Sequence, residues 1–185
     1  MTLWAFRVAE DPAVYFPVMV NLDGFILSHV TEPLLLGEQA EVDRYLPQYK
    51  YRLALDPDAP TSHGCFGLPE IYTEVKLAQE VALRKSRPVL DKGWEEFASI
   101  FGRQYEAIEL YRGEGAETLL VTMGSLGETA KMVVDERRAR GEAVGHLNIR
   151  LWRPFPFADF GAAVKNVKTL AVLDRAVSFG GPGGP

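Results

Sequence analysis

Residues 118–156 constrain the fold more than any other stretch of this 185-residue chain. Leu119, Leu120, Val121 and Thr122 form a short apolar run, which predicts a buried strand. Met123 and Gly124 turn out of it. Ser125 followed by Glu128 predicts a capping box, each side chain satisfying a free backbone N–H at a helix start. Leu126, Ala130, Val133 and Val134 then share one helical face; Glu128, Lys131, Asp135 and Arg138 share another. Gly141, just past Arg137, Arg138 and Arg140, predicts the helix end, with cations at the negative end of the dipole. From His146 to Trp152 the residues alternate, with Leu147, Ile149 and Leu151 on one face, and Pro154 and Pro156 close the run. Strand, helix and strand in this order predict a βαβ unit. They specify no reaction.

The rest of the chain extends this unit. Residues 3–10 predict a helix with no cap ahead of it, broken at Asp11 and Pro12. Pro17 to Leu22 predicts a strand, Asp23, Gly24 and Phe25 a turn, and Ile26 to His29 a helical turn. Residues 38–45 predict a short helix inside a proline- and glycine-rich connection that keeps Tyr45, Tyr49, Tyr51 and Phe66, too aromatic for a flexible linker. Ile71, Val75, Ala78 and Ala82 predict one helix; Leu90, Trp94, Phe97 and Phe101 predict the next. Pro88 places the break near Ser86 and Arg87, and Gly102 stops the second helix. Residues 105–111 predict a strand with Ile108 and Leu110 inward. Pro156 starts a helix whose stripe is Phe157, Phe160, Ala163 and Val164. Thr169 to Leu173 predicts a buried strand. The sum is a three-layer α/β domain of about four strands, preceded by a helix and strand that cannot bury a core alone. The uncapped start and the glycine-rich tail predict that the chain is part of a longer polypeptide.

Composition excludes several classes. A net charge of −5 with scattered basic residues argues against nucleic-acid binding. No apolar run approaches the roughly 20 residues that span a bilayer. The N-terminus lacks the pattern of a signal peptide, and a single cysteine excludes an internal disulfide, which predicts a cytoplasmic protein.

Polar residues give few candidates. His63 and Cys65 lack further zinc ligands at suitable spacing, and nothing beside Cys65 marks it as a nucleophile. The turn from Thr122 to Ser125 sits where α/β proteins bind anions, but it has neither phosphate-loop pattern, and plain capping is the simpler reading. The tail from Gly180 to Pro185 resembles a phosphate loop only in glycine content. Glu95 with Glu96 and Asp135 with Glu136 read as solvated helix faces. The most polar cluster beyond a strand is Asp23 with Ser28, His29 and Glu32. Ligands in open α/β sheets sit beyond the carboxyl ends of strands, although capping and turn-making explain the same residues.

Four blocks in order resemble the alpha subunit of pyruvate:ferredoxin oxidoreductase and related 2-oxoacid:ferredoxin oxidoreductases. The first runs from Pro17 to His29 with Glu32 and Pro33. The second is Val121, Thr122, Met123, Gly124 and Ser125. The third spans Val144 and Gly145, then Ile149 to Pro156. The fourth is Ala171 to Arg175 with Ser178, Phe179, Gly180, Pro182, Gly183 and Gly184. Together they cover nearly the whole chain. The resemblance implies the end of a thiamine-diphosphate-fold domain at residues 1–36, a connection at 37–69, and a second domain at 70–185 resembling the transketolase C-terminal domain. It implies that Asp23, Ser28, His29 and Glu32 lie near the active-site interface, and it transfers no catalytic residue or metal ligand to this chain. It implies a holoenzyme with thiamine diphosphate and magnesium, which converts a 2-oxoacid, leaning to pyruvate, to an acyl-CoA. Electrons pass through iron–sulfur clusters to ferredoxin or flavodoxin. One cysteine cannot hold a cluster, so clusters belong to other domains or to beta, gamma and delta partners, where the resemblance also places CoA. This chain alone is expected to bind none of these cofactors and to be inactive. The alternative is a non-catalytic α/β module that docks a partner through an unpaired strand at Val18 to Leu22.

Overall fold

The computed structural model describes residues 1–51, 54–64 and 66–181, apart from the Ile26 side chain. Seven helices and four strands follow one another along the described residues: α1 Thr2–Ala9, α2 Ile26–His29, α3 Gln39–Tyr45, α4 Pro69–Lys85, α5 Arg87–Phe101, β1 Ile108–Tyr111, β2 Thr118–Met123, α6 Leu126–Ala139, β3 Val144–Ile149, α7 Phe157–Val164 and β4 Thr169–Val172. They form two compact units. The first holds Met1–Val20 and Pro33–Gln104; the second holds Asn21–Glu32 and Tyr105–Pro185. The division read from sequence groups residues 70–104 with the sheet, whereas these contacts group α4 and α5 with α1 and α3.

The first unit is helical, and its core is aromatic. Trp4 of α1 stacks on Trp94 of α5, with ring centroids 4.6 Å apart and planes 6° from parallel. Its indole N–H donates to the Leu90 carbonyl at 3.1 Å. Tyr45 of α3 is buried and donates to the Gly93 carbonyl at 2.9 Å. Arg7 bridges Glu96 at 2.9 Å and Asp11 at 3.2 Å. Glu96 is therefore a packed ion-pair partner, not the solvated residue expected. The break between α4 and α5 falls at Ser86, which is buried and donates to the Leu83 carbonyl.

The second unit is built on a sheet of order β1-β3-β2-β4. β2 runs parallel to both β3 and β4, and β1 runs antiparallel to β3. The register puts Leu119, Val121, Leu147, Ile149 and Ile108 on one face, packed by Phe155, Phe160, Ala163, Val164 and Val167 from α7 and its flanks. The other face carries Thr122, His146, Asn148, Glu109 and Tyr111 under α6. There Tyr111 donates to Asp135 at 2.9 Å, and Lys131 pairs with Glu109 at 2.6 Å. Helices on both faces give the three layers expected. Gly102 and Gly141 end α5 and α6 in left-handed backbone, at φ +66° and +84°.

Several local expectations give way to tertiary context. Pro17 to Leu22 is not a strand: no described strand pairs with it, and Met19 is 87% exposed. β4 is paired but exposed throughout, because it lies at the sheet edge beside β2 while α7 packs toward β1. β3 is buried on both faces rather than one, since it is central and covered on both sides. Leu110, at the other edge, is 45% exposed. Phe157 leaves the α7 stripe and is exposed.

Candidate functional site

The carboxyl ends of β2 and β4 open into a cleft of about 810 Å³ within the second unit. Apolar residues form its walls, among them Val121, Ile149, Trp152, Phe155, Phe160 and Val172. Leu22, Asp23 and Leu27 of the Asn21–Glu32 segment line it too, as do Ser125, Asp174 and Arg175. The place is the one a parallel sheet offers to ligands, where strands end and helices begin.

One carboxylate organises the polar end of this cleft. Asp23 Oδ2 accepts the Ser125 backbone N–H at 3.2 Å and also the Ser125 hydroxyl. Asp23 Oδ1 accepts from Arg175 Nη2. Hydrogen bonds from Ser125, then Arg175, hold the Asp23 carboxyl below the usual carboxylate range. The capping box expected at Ser125 is absent. Ser125 sits at φ −63° and ψ −23°, already helical, and its side chain makes no cap bond of its own. Its hydroxyl is spent on Asp23, 102 residues earlier, whose carboxylate takes the capping place at the positive end of α6.

The other expected site residues lie on the same segment. Ser28 and His29 meet in α2, where the Ser28 hydroxyl is 3.0 Å from His29 Nδ1. His29 Nδ1 also approaches the Phe25 carbonyl at 2.5 Å, and its ring lies 5.0 Å from that of Phe25. Glu32 is exposed at the segment's end. So the structure brings Ser28 and His29 together and puts Asp23 in the cleft wall. The partners sequence reasoning missed are Ser125 and Arg175. Both stand in the quoted blocks, the second and the fourth, and that shared membership is the signal that could have joined them.

His146, absent from the candidates, is buried completely on the α6 face. Its Nε2 shares a hydrogen bond with Thr122 Oγ1 at 2.8 Å, and its Nδ1 has no partner among the described residues. Burial depresses its pKa. His63 is an exposed loop residue 3.1 Å from Thr61 Oγ1. Cys65 and the last four residues of the tail, 182–185, lie outside the described residues.

In this cleft Asp23 is not free to hold the magnesium that accompanies thiamine diphosphate. Magnesium is held by carboxylates, phosphates and water in an octahedron. Of the carboxylates here, Asp23 is already taken by Ser125 and Arg175. Among the described residues no three of His, Cys, Asp and Glu gather as a metal cluster. No helix of the described residues is long and apolar enough to cross a membrane.

Two family models match the chain. The one for pyruvate flavodoxin/ferredoxin oxidoreductase, thiamine diphosphate-binding, covers residues 1–92, and the one for pyruvate:ferredoxin oxidoreductase core domain II covers 116–185. Pyruvate synthase subunit PorA of Methanothermobacter thermautotrophicus is 44% identical over 177 residues, which is 96% of this chain and 46% of that protein. The subunit of the same name in Thermotoga maritima is 42% identical over 181 residues, 97% and 46% of the two chains. Ketoisovalerate oxidoreductase subunit VorA of Pyrococcus abyssi is 38% identical over 184 residues, 98% and 46%. The chain spans about half the length of these relatives.

Proposed function

Because this chain belongs to the pyruvate:ferredoxin oxidoreductase family, we propose that it forms part of the alpha subunit of a cytoplasmic 2-oxoacid:ferredoxin oxidoreductase. The observation that carries this is the pair of family matches in order along the chain, with 44% identity to a pyruvate synthase subunit over 96% of it. The assembly would decarboxylate a 2-oxoacid, pass the electrons to ferredoxin or flavodoxin, and release the acyl group on CoA. Pyruvate is the favoured substrate: pyruvate synthase subunits reach 44% and 42% identity, while others of that name fall to 38%, level with the ketoisovalerate subunit. Thiamine diphosphate, CoA and iron–sulfur clusters would be held by the assembly. The role of this chain is to frame the second domain and to present Asp23, Ser28, His29 and Glu32 toward the active-site interface.

The test is anaerobic purification of the tagged chain with its co-purifying subunits, followed by an assay for pyruvate- and CoA-dependent reduction of a viologen dye. Activity that follows the tag supports the reading. A tagged chain that carries partners but no 2-oxoacid activity refutes it. Titration of the isolated chain with thiamine diphosphate and magnesium is expected to show no binding; stoichiometric binding would move the cofactor site into this chain.

A second reading, a non-catalytic docking module, is favoured by one observation. Leu22, Leu34, Leu35 and Leu36 are all at least 75% exposed. It predicts that the chain binds a partner protein in extracts that show no viologen reduction.

A further inference from the structure

We propose that Asp23 is a latch: a positioning residue that holds the Asn21–Glu32 segment, and with it Ser28 and His29, at the carboxyl ends of β2 and β4. Among the described residues, hydrogen bonds within this segment stay local, running between Phe25, Ser28 and His29. Those that reach from it to the rest of the second unit all end on Asp23. Among the described side chains of the segment, Leu27 is half-covered in the cleft, whereas Leu22 is 78% and Phe25 79% exposed, and a Cβ at Gly24 would meet nothing within 4 Å. Among the described residues, one short side chain therefore carries the polar attachment of the segment, beside the apolar contact of Leu27.

The chemistry of the joint suits that task. Three donors converge on one carboxylate from places far apart in the chain: the Ser125 N–H, the Ser125 hydroxyl and the Arg175 guanidinium. Charge-assisted bonds of this kind are about twice as strong as neutral ones. The Asp23 side chain is 22% exposed and lies at the positive end of α6, where an anion is favoured. At Gly124 a Cβ would stand 3.5 Å from Asp23 Oδ2, so the turn leaves room for the carboxylate. A glutamate would overshoot these donors by a methylene.

This inference rests on geometry and stands apart from the 2-oxoacid reading. Hydrogen exchange followed by mass spectrometry, on the chain with whatever subunits co-purify, tests it. Asp23→Asn should speed exchange of amides 24–31 by about tenfold, the order expected for loss of a capping and ion-paired group, and leave Leu119 to Val121 of β2 unchanged. Arg175→Gln and Ser125→Ala should each loosen the same amides. Neither should add its full effect to Asp23→Asn, because all three act through one carboxylate. In the unsubstituted chain the segment should loosen only as pH falls below the ordinary carboxylate range, since Ser125 and Arg175 stabilise the charged form. In the Asn variant that acid-induced step should vanish. Unaltered exchange at 24–31 in Asp23→Asn would overturn the proposal. So would equal acceleration in β2, which would mark a general loss of stability, or full additivity of Asp23→Asn with Arg175→Gln.

Discussion

Acidification should loosen the sheet of the second unit through His146. The ring is fully buried in β3, with Nε2 bonded to Thr122 and Nδ1 without a partner among the described residues. An imidazolium has two N–H donors, so the charged form would leave one buried and unpaired. Burial depresses the folded pKa below the ordinary 6.5. Glu109 and Glu128 pull the other way and Lys131 adds to the depression, but burial dominates. The sign follows. Below 6.5 the unfolded chain takes up a proton that the folded chain refuses, so stability present above that pH is lost as pH falls. One proton gives a slope of at most about 1.4 kcal/mol per pH unit. Integrated from about pH 7.5 to about pH 5.5, the loss is at most about 1.4 kcal/mol, or tenfold in the opening equilibrium. Glu109 does not blur this window. Burial works to raise its carboxyl, yet Lys131 and Arg150 bring it below its usual value, so its contribution fades only at lower pH.

The assay is amide exchange in β2 and β3, corrected for the intrinsic rate at each pH. Protection should fall across that window in the unsubstituted protein, by at most about tenfold. In His146→Gln the amide can still bond Thr122 but cannot titrate. The variant should begin less stable and lose the slope. An equal slope in both proteins would refute the assignment to His146. A rise in protection on acidification would refute the sign.

Two substitutions probe the helical unit. Gly93→Ala should destabilise it by about 1 kcal/mol, because overpacking costs more than the helix gains from alanine. Its Cβ would come within 3.1 Å of Trp4 Nε1 and of Val8, and Trp4 cannot yield while bonded to Leu90 and stacked on Trp94. A higher thermal midpoint would contradict this. Tyr45→Phe keeps the edge contacts with Phe97 and Phe101, at 5.4 and 5.8 Å, and removes the bond to Gly93. A loss of about 1 kcal/mol in denaturant unfolding is expected, and an unchanged midpoint would show the bond to be neutral.

The helices were legible because their information is local. Ile71, Val75, Ala78 and Ala82 state a period, and Pro88 and Gly102 state ends; α4 and α5 follow both. Burial of strands was less legible because it depends on what lies alongside. Thr169 to Val172 and Leu119 to Val121 are similar text, yet one forms an exposed edge and the other a covered centre. Pro17 to Leu22 carries strand propensity with no ladder to join among the described residues, and propensity alone makes no sheet.

The site shows the same division between donor and acceptor. A serine before an apolar helix states that free N–H groups need an acceptor, and the nearest candidate in sequence is Glu128. The structure answers instead with Asp23, and its carboxylate serves the helix start and Arg175 together. Local reading could not rank these acceptors, because a carboxylate brought in by the fold can meet two donors of Ser125 and a cation at once. Glu128 is left to pair with Lys131 on the surface. The four blocks held this information in another form. Asp23, Ser125 and Arg175 come from three of them, and a single carboxylate gives a physical reason for those three stretches to occur in one chain. If that reason is right, Asp23→Asn and Arg175→Gln must fail to add. That is a stronger demand than the resemblance makes, since shared ancestry alone would allow the two residues to act independently.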